Sequence, residues 1–255
     1  MTDLSGKTAI ITGSSSGVGA ASALRFAARG AKVVINYSKS RQEAEATAAA
    51  CRDAGGEAML CAADVADDAA CRAMVDKTVA AWGRVDFLVN SAGTTRRCAH
   101  DDLDGLSGED FHHIYDVNVI GVFQMVRAAA PHLRAAGDGV VVNISACGGF
   151  DGKGSSIAYA ASKGALNTMT LSLARALAPD IRVNAVAPNL IDGRWVRAMM
   201  GEDAARAHVA ATAGKHPLSR VNSPDDVAAA VLWLATVATT VTGEIIRLDA
   251  GHHLS

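Results

Sequence analysis

Hydrophobic positions along the chain alternate between short runs rich in β-branched residues and longer alanine-rich stretches with charges at helical spacing. Such alternation is typical of crossover units, which build a parallel sheet with helices on both faces. Nearly continuous apolar runs such as VVVNI fit this prediction, because parallel strands are buried on both faces. Helices are predicted in the intervals between the strands, the first of them at Ala20–Arg29. The strands are predicted at Thr8–Thr12, Lys32–Tyr37, Ala58–Cys61, Phe87–Asn90, Val140–Ser145, Arg182–Ala187 and Glu244–Leu248.

The alternation of strands and helices continues to the C-terminus without a linker, a low-complexity tract or an internal repeat. The length of the chain suits one large or two small domains, and the unbroken pattern predicts a single α/β domain over residues 1–255. One stretch, Asn189–Arg220, has no predicted strand and carries Trp195, Met199 and Met200. We interpret residues 189–220 as a lid over a substrate site.

Charge and hydropathy exclude two classes of partner. The chain has 24 Lys and Arg against 26 Asp and Glu, and no long basic block, which argues against nucleic acid and anionic membranes. Its longest uninterrupted apolar run ends at Ala235 and is far shorter than the roughly 18 residues of a spanning helix. The N-terminal sequence lacks the features of a signal peptide. A soluble, cytoplasmic protein is expected.

The cysteines agree with that location. They are odd in number, form no C-x-x-C pair and lack His at metal-ligand spacing, so reduced thiols and no metal site are expected. They are Cys51, Cys61, Cys71, Cys98 and Cys147.

A glycine-rich turn, Thr12–Gly19, directly follows the first predicted strand and opens a helix. Glycines at such a junction let the backbone turn sharply and approach a pyrophosphate, whose charge is met by free amides and the positive end of the helix dipole. An ordinary strand-to-helix turn is the alternative. The position after the first strand of a β-α-β series favours dinucleotide binding.

The end of the second strand bears on the choice of cofactor. NAD-binding units of this kind carry an acidic residue there, which holds the ribose diol. Here the strand is followed by Ser38, Lys39 and Arg41 and by no carboxylate, so these side chains could bind a 2′-phosphate. NADP(H) is therefore preferred and NAD(H) remains possible. A solvated helix start is the alternative interpretation of Lys39 and Arg41.

Tyr159 and Lys163 are four residues apart in an alanine-rich helical stretch and share one face. A nearby ammonium favours phenolate, so the pKa of Tyr159 is expected to be lowered. The tyrosine would then serve as a general acid in carbonyl reduction and as a base in alcohol oxidation. A surface pair without chemistry is the alternative, which the glycine turn disfavours.

Several motifs occur together in one order: the glycine turn, Asn90-Ser91-Ala92-Gly93, Asn118 in DVNVIG, Tyr159-Ala-Ala-Ser-Lys163 and the final VTGEIIRLDAG. Along its whole length the chain resembles the short-chain dehydrogenase/reductase family, and within it the 3-oxoacyl reductases. The resemblance implies one doubly wound Rossmann-type domain with a seven-stranded parallel sheet. It also implies a nicotinamide cofactor and interconversion of a ketone and a secondary alcohol on a small-molecule substrate.

The resemblance implies roles for individual residues. Tyr159 and Lys163 would be catalytic and would contact the cofactor, with Asn118 supporting them. The other cofactor contacts would be Gly13, Ser14, Ser16, Val18 and Gly19 at the pyrophosphate and adenosine ribose, Asp64 and Val65 beside adenine, Asn90, Ala92 and Gly93 after the fourth strand, and Pro188 and Ile191 after the sixth. Family members commonly pair through the tyrosine helix, predicted at Ser156–Ala178, and the helix containing Asn118. A homotetramer, or at least a dimer, is expected.

One family residue is missing. A serine ahead of the tyrosine donates a hydrogen bond to the reacting oxygen in the family, and the residue thirteen before Tyr159 here is Ala146. Ser145 should point away, because side chains alternate along a strand, unless the strand bulges. The other nearby candidates are Cys147, Ser155 and Ser156. Two functions therefore stay open: an active oxidoreductase, and a cofactor-binding protein with weak or lost turnover that serves as a sensor or partner subunit.

The substrate is expected beyond the carboxyl ends of the strands. The loop after Gly93 carries Arg96 and Arg97, which together with the apolar lid suit a substrate with an apolar body and an anionic group. Solvent exposure is the alternative for both arginines.

Overall fold

A computed structural model describes residues 2–254, and its centre is a parallel sheet. The strand order is β3-β2-β1-β4-β5-β6-β7, and all neighbouring strands pair in parallel. Every predicted strand agrees with the structure to within one residue at each end, and the predicted fold class is confirmed. The strands are β1 (Thr8–Ile11), β2 (Lys32–Tyr37), β3 (Glu57–Ala62), β4 (Phe87–Asn90), β5 (Gly139–Ile144), β6 (Ile181–Pro188) and β7 (Ile245–Leu248).

Helices connect the strands and cover both faces of the sheet. The first begins at Gly17, earlier than the predicted Ala20, so it starts inside the glycine-rich turn. A π-helical turn, Asp116–Ile120, joins α4 to α5, and a 3-10 turn at His252–Leu254 follows β7. The helices are α1 (Gly17–Ala27), α2 (Arg41–Asp53), α3 (Asp68–Trp82), α4 (Gly108–Tyr115), α5 (Gly121–Ala135), α6 (Gly148–Asp151), α7 (Ile157–Leu177), α8 (Arg194–Met200), α9 (Glu202–Ala213) and α10 (Pro224–Thr236).

Two hydrophobic cores lie on opposite faces of the sheet. Ile11 and Val33 belong to the core under α1, α2 and α10, while Ile10 and Val34 belong to the core under α3, α5 and α7. This split follows from the strand pleat, which sends successive side chains to opposite faces. Both faces are thus occupied by helices, and the carboxyl edge of the sheet is left for a ligand.

The chain reverses direction across the sheet at β1. Its neighbours are β2 on one side and β4 on the other, so the loops after β1 and β4 diverge at their carboxyl ends. Ligands of open α/β sheets bind in the crevice at such a switch point. The glycine-rich turn and the Asn90–Gly93 loop are the two segments that begin there.

Segment 189–220 departs from the alternating pattern, as expected. It contains α8 and α9 and is joined to the following segment by a parallel bridge between Ile191 and Asn222 and by the Arg220–Asp226 ion pair. Across residues 2–254, no helix combines the length and hydropathy needed to cross a membrane. All five cysteines are free and buried.

Candidate active site

The turn between β1 and α1 is shaped by two close backbone contacts. A Cβ added at Gly13, whose φ is +62°, would lie 2.7 Å from the Cα of Ala92. A Cβ added at Gly19 would lie 2.5 Å from the carbonyl oxygen of Gly13. Both positions therefore exclude larger residues, and they pack the turn against the start of α1 and the loop after β4.

Asn36, at the end of β2, holds this turn in place. Its Oδ1 accepts a hydrogen bond from the backbone N–H of Gly13 at 3.0 Å, and its own N–H donates to Ser14 Oγ at 2.9 Å. Its Nδ2 donates to the carbonyl of Ala63 at 3.0 Å. Asn36 is not among the site residues predicted from the sequence. The available signal was a polar side chain in an otherwise apolar buried strand, since a buried amide requires partners.

The start of α1 offers unpaired amides to an anion. Ser16 is the N-cap but makes no side-chain capping hydrogen bond, and the first turn, which includes Val18, has no acidic residue. Gly17 has φ +57° and open space around it. Free N–H groups at the positive end of a helix dipole are suited to phosphate. The turn therefore fits the pyrophosphate of a dinucleotide.

The residues after β2 differ in whether their side chains already have partners within the protein. Ser38 and Lys39 are exposed, and within the described range Lys39 forms no ion pair. Arg41 is paired with Glu45 on the next turn of α2 at 2.8 Å. Ser38 and Lys39 are thus the available partners for a ribose phosphate, and Arg41 is the less available one.

Asp64 and Val65 lie directly after β3. Val65 is buried, and its carbonyl accepts a hydrogen bond from Gln124 Nε2 at 2.8 Å. A Cβ at Gly121 would lie 2.8 Å from the Val65 side chain, so the start of α5 packs closely on this loop. Asp64 is exposed and accepts a bond from the N–H of Ala66. The loop is therefore held by α5 and lies beside the carboxyl end of β2.

The loop after β4 is fixed from two sides. Asn90 donates to Asn143 Oδ1 at 2.9 Å, which connects β4 to β5. Thr12 Oγ1, in the glycine-rich turn, accepts from the N–H groups of Ser91 at 3.0 Å and Ala92 at 3.1 Å. Gly93 lies beside Asn118, since a Cβ added at Gly93 would be 3.5 Å from Asn118 Oδ1.

Asn118 lies in the π-helical turn and is fully buried. Its Oδ1 accepts from the N–H of Thr94 at 2.8 Å, and its Nδ2 donates to the Thr94 carbonyl at 3.0 Å and to Ser162 Oγ at 3.0 Å. Asn118 therefore connects the β4 loop to the helix residue next to Lys163. A π-helical turn is frequent at functional sites.

Tyr159 and Lys163 lie on one face of α7, as the spacing predicts. The helix is capped by Ser156, whose Oγ accepts from the Tyr159 N–H at 3.2 Å. Lys163 Nζ is 5.6 Å from the centroid of the Tyr159 ring and donates to the Ile144 carbonyl at 2.7 Å. The lysine side chain is only 4% exposed, and it has no carboxylate partner within the part of the chain that the structure describes.

The expected lowering of the tyrosine pKa is wrong for this structure. Burial raises the pKa of Tyr159 above its ordinary value, and burial lowers the pKa of Lys163 to about 8. Desolvation disfavours the charged form of each group, and the lysine ammonium donates to the Ile144 carbonyl. Tyr159 is consequently a phenol that keeps its proton at neutral pH.

Ala146 is the second residue after β5, and the side chains of its neighbours already have hydrogen-bond partners. Ser145 is 2% exposed and donates to Asn167 Oδ1 at 2.5 Å, so its hydroxyl is turned into α7. The Cys147 thiol lies 3.2 Å from the Ala187 carbonyl. Ser156 is the helix cap. Of the candidates for the missing serine, Ser155 alone has its hydroxyl within hydrogen-bond distance of a hydroxyl on a different loop, that of Thr95.

Segment 189–220 contacts the tyrosine through one aromatic ring. The Trp195 ring meets the Tyr159 ring edge-on, with centroids 6.1 Å apart. Arg194 pairs with Glu43 on α2, which connects the start of α8 to the other side of the crevice. Pro188 ends β6, and Ile191 lies between it and α8. In the loop after β4, Arg96 is paired with Asp110 at 2.8 Å and Arg97 is exposed.

Known proteins match the chain along nearly its whole length. A family model described as enoyl-(acyl carrier protein) reductase matches residues 13–253. A ketoacyl reductase assigned to the granaticin polyketide synthase of Streptomyces violaceoruber is 44% identical over 246 residues, 96% of each chain. A solved structure assigned to the short-chain dehydrogenases/reductases, from Burkholderia xenovorans, is 43% identical and superposes with a TM-score of 0.91 over 98% of each chain. The chain belongs to the short-chain dehydrogenase/reductase family.

Membership in the short-chain dehydrogenase/reductase family establishes the general chemistry. The protein is an oxidoreductase that uses a nicotinamide cofactor to interconvert ketones and alcohols on small molecules. A further solved structure, that of NAD⁺-bound xylitol dehydrogenase, is 27% identical with a TM-score of 0.88 and covers 97% of this chain and 99% of that one.

Proposed function

We propose that the protein is an NADP(H)-preferring reductase of small ketones in which Tyr159 is the proton donor and Lys163 and Asn118 support it. The observation that carries this proposal is the buried Lys163 beside Tyr159, at the crevice that the glycine-rich turn lines. A buried ammonium without a carboxylate partner is costly for stability. Lys163 Nζ lies 5.6 Å from the centroid of the Tyr159 ring, a placement that suits proton transfer and supports an active enzyme. In a sensor or partner subunit the same lysine would only hold the cofactor, so turnover is the measurement that separates the two functions.

The cofactor is proposed to lie along the carboxyl ends of β1, β2, β4 and β6. The turn with its unpaired amides takes the pyrophosphate, and Ser38 and Lys39 take the 2′-phosphate of the adenosine ribose. Bound NADPH supplies a hydride for the carbonyl carbon. The residues proposed to contact it are Gly13, Ser14, Ser16, Val18, Gly19, Ser38, Lys39, Asp64, Val65, Asn90, Ala92, Gly93, Tyr159, Lys163, Pro188 and Ile191.

In reduction, the phenol of Tyr159 donates its proton to the carbonyl oxygen. The raised pKa keeps this proton in place until the oxygen becomes basic. The nearby Lys163 ammonium stabilises the phenolate that remains, and it becomes charged more readily as that phenolate forms. Asn118 keeps the β4 loop and α7 at a fixed separation through Thr94 and Ser162.

Segment 189–220 is proposed to act as a lid over the substrate, with Trp195 as its apolar contact. The similarity to a ketoacyl reductase favours 3-oxo substrates. The function is tested by measuring NADPH oxidation with a panel of diketones and 3-oxoesters. Turnover of at least one class supports the proposal, and NADPH binding without any turnover favours the sensor or partner-subunit alternative.

We expect NADPH to bind at least about ten-fold more tightly than NADH. One or two charge-assisted contacts to the 2′-phosphate should contribute about 1.5–3 kcal/mol each before desolvation. Titration of both cofactors by fluorescence checks this. Lys39→Ala should weaken NADPH binding and leave NADH binding unchanged, while Arg41→Ala, which removes an ion-paired arginine, should have the smaller effect. Equal affinities in the unsubstituted protein would contradict the preference.

The rate of reduction should fall as the pH rises through about 8, because Lys163 then loses the proton that stabilises the phenolate. A lysine whose pKa is lowered is charged below that pKa and neutral above it, so the active form is the acidic one. The check is kcat at saturating substrate from about pH 6 to about pH 10. Lys163→Arg should shift the decline to higher pH, since arginine stays charged. A flat profile would refute the assignment.

The protein is proposed to be a homotetramer. Ile120 at the end of the π-helical turn, Phe123 on α5 and Leu171 on α7 are 46%, 44% and 40% exposed. Trp233 on α10 and Val237 directly after α10 form a second exposed apolar patch, beside Arg25 and Arg29 at the end of α1. Exposed apolar patches mark interaction surfaces, and a tetramer needs two of them.

Light scattering at micromolar concentration should therefore give about four times the mass of the 26.1 kDa chain. Phe123→Asp should split the assembly. Leu103→Asp, which makes the same change at an exposed leucine outside both patches, should leave it intact. A mass of one chain would contradict the proposal.

A further inference from the structure

Two hydroxyl groups meet where the loop after β4 approaches the start of α7. The Oγ1 of Thr95 and the Oγ of Ser155 are 2.7 Å apart, and both residues are partly buried. The N–H of Cys98 donates to the Ser155 carbonyl at 2.9 Å, which gives a second connection between the same segments. The hydroxyl pair therefore has a fixed position at the carboxyl edge of the sheet, beyond β4 and β5.

The pair is held close to the reacting tyrosine from both sides. A Cβ at Gly154, the residue before Ser155, would lie 3.3 Å from Cδ1 of Tyr159, so this segment runs along the edge of the tyrosine ring. Thr94, the residue before Thr95, is held at its N–H and its carbonyl by Asn118. Both hydroxyls are thus positioned by residues next to the proton donor.

Counting the hydrogen-bond donors and acceptors of the two hydroxyls shows which of them has a proton free to donate. Each hydroxyl carries one proton and shares one hydrogen bond with the other. When Thr95 donates to Ser155, the Ser155 proton has no acceptor among the described residues. In the opposite orientation the Thr95 proton faces the Arg96 carbonyl at 3.4 Å, which is long for an O–H donor. The first orientation leaves Ser155 free to donate outward.

We infer that Ser155, oriented by Thr95, donates to the substrate carbonyl oxygen the hydrogen bond that Ala146 cannot donate. This inference rests on the proposed reductase function. During reduction the oxygen gains charge, Tyr159 transfers its proton to that oxygen, and Ser155 keeps its own proton, so the step needs no further reactant. Ser155 is then a catalytic residue and Thr95 a positioning residue.

The test combines Ser155→Ala with Ala146→Ser. Removing one preorganised donor typically costs about 10²–10³ in rate, so Ser155→Ala should lower kcat by that factor with unchanged NADPH affinity. Ala146→Ser alone should alter kcat by less than about threefold, because the donor is already present. In the double variant, the new serine should restore kcat to within about tenfold of the unsubstituted enzyme. A purely structural role of Ser155 would not be rescued at position 146.

Further variants distinguish the loss of a hydrogen-bond donor from a disturbance of the fold. Thr95→Ser should keep kcat, whereas Thr95→Val should lower kcat more than it changes KM, because it removes the orienting hydroxyl and keeps the shape. Ser155→Cys keeps a donor at this position but a weaker and slightly larger one, and should give an intermediate kcat. Ser172→Ala removes the same atoms from an exposed position of α7 and should behave as the unsubstituted enzyme.

Two results would overturn the inference while the reductase function stands: a Ser155→Ala variant with full kcat, or a loss that Ala146→Ser does not restore although the double variant has an unchanged melting temperature and NADPH affinity. Absence of turnover in the unsubstituted protein, with NADPH bound, would overturn both the inference and the proposed function. The two failures are therefore distinguishable in one series of measurements.

Discussion

Replacing Tyr159 by phenylalanine is expected to abolish carbonyl reduction and to leave NADPH affinity nearly unchanged. The substitution removes the transferable proton and keeps the ring, which still meets Trp195 edge-on. Lys163 keeps its hydrogen bond to the Ile144 carbonyl, so the local packing is preserved. A positioned general acid contributes about 10²–10⁴-fold to the rate, and the loss should be of that size.

The measurement is single-turnover NADPH oxidation together with a fluorescence titration of NADPH. Tyr115→Phe makes the same chemical change at the end of α4 and serves as the matched control, with activity expected to be unaffected. If the Tyr159→Phe variant kept more than about a tenth of the rate, another group would be the acid.

The strands of the sheet could be predicted from the sequence because each one is specified by a short run of neighbouring residues. A parallel strand buried on both faces needs an uninterrupted apolar run, and β5 supplies one in Val140–Val142. The glycine-rich turn is local in the same sense. Gly19 is required by contacts with Gly13 and Ser14 a few residues away, so the glycine spacing marks the junction, whereas the contact of Gly13 with Ala92 is made by a distant loop.

The site was predictable only in part. Helical periodicity places Tyr159 and Lys163 on one face without any tertiary knowledge. Strand alternation likewise predicts that Ser145 points away from the crevice, and its hydroxyl is bonded to Asn167 on α7. The sign of the tyrosine pKa shift was not predictable, because it depends on how deeply both groups are desolvated, which only the packed structure determines.

Contacts between distant segments were missed for a different reason. The Trp195–Tyr159 contact joins segment 189–220 to α7, and the Arg194–Glu43 pair joins it to α2. Neither pair has a spacing that local pattern can detect, because the partners are brought together by the fold. Thr95 and Ser155, sixty residues apart in sequence, belong to the same class.

The tight packing at Gly19 leads to the second large expected effect. In a Gly19→Ala variant the new Cβ would lie 2.5 Å from the Gly13 carbonyl oxygen and 2.8 Å from the Ser14 Cα, both of which are backbone atoms of the turn. The turn must therefore shift away from the start of α1. Overpacking of this kind costs about 1–3 kcal/mol, which corresponds to about 5- to 150-fold in affinity if it is expressed in cofactor binding.

NADPH affinity should consequently fall by about 5- to 150-fold. The melting temperature should fall only slightly, because alanine favours the helix by about 1 kcal/mol relative to glycine and so offsets part of the overpacking cost. Gly108→Ala at the start of α4 is the matched control, since a Cβ there meets no atom within 4 Å. Calorimetric titration of NADPH and a thermal unfolding scan separate the two quantities. Full NADPH affinity in Gly19→Ala would mean that the pyrophosphate is held elsewhere, because a turn displaced from α1 cannot keep its amides directed at the same anion.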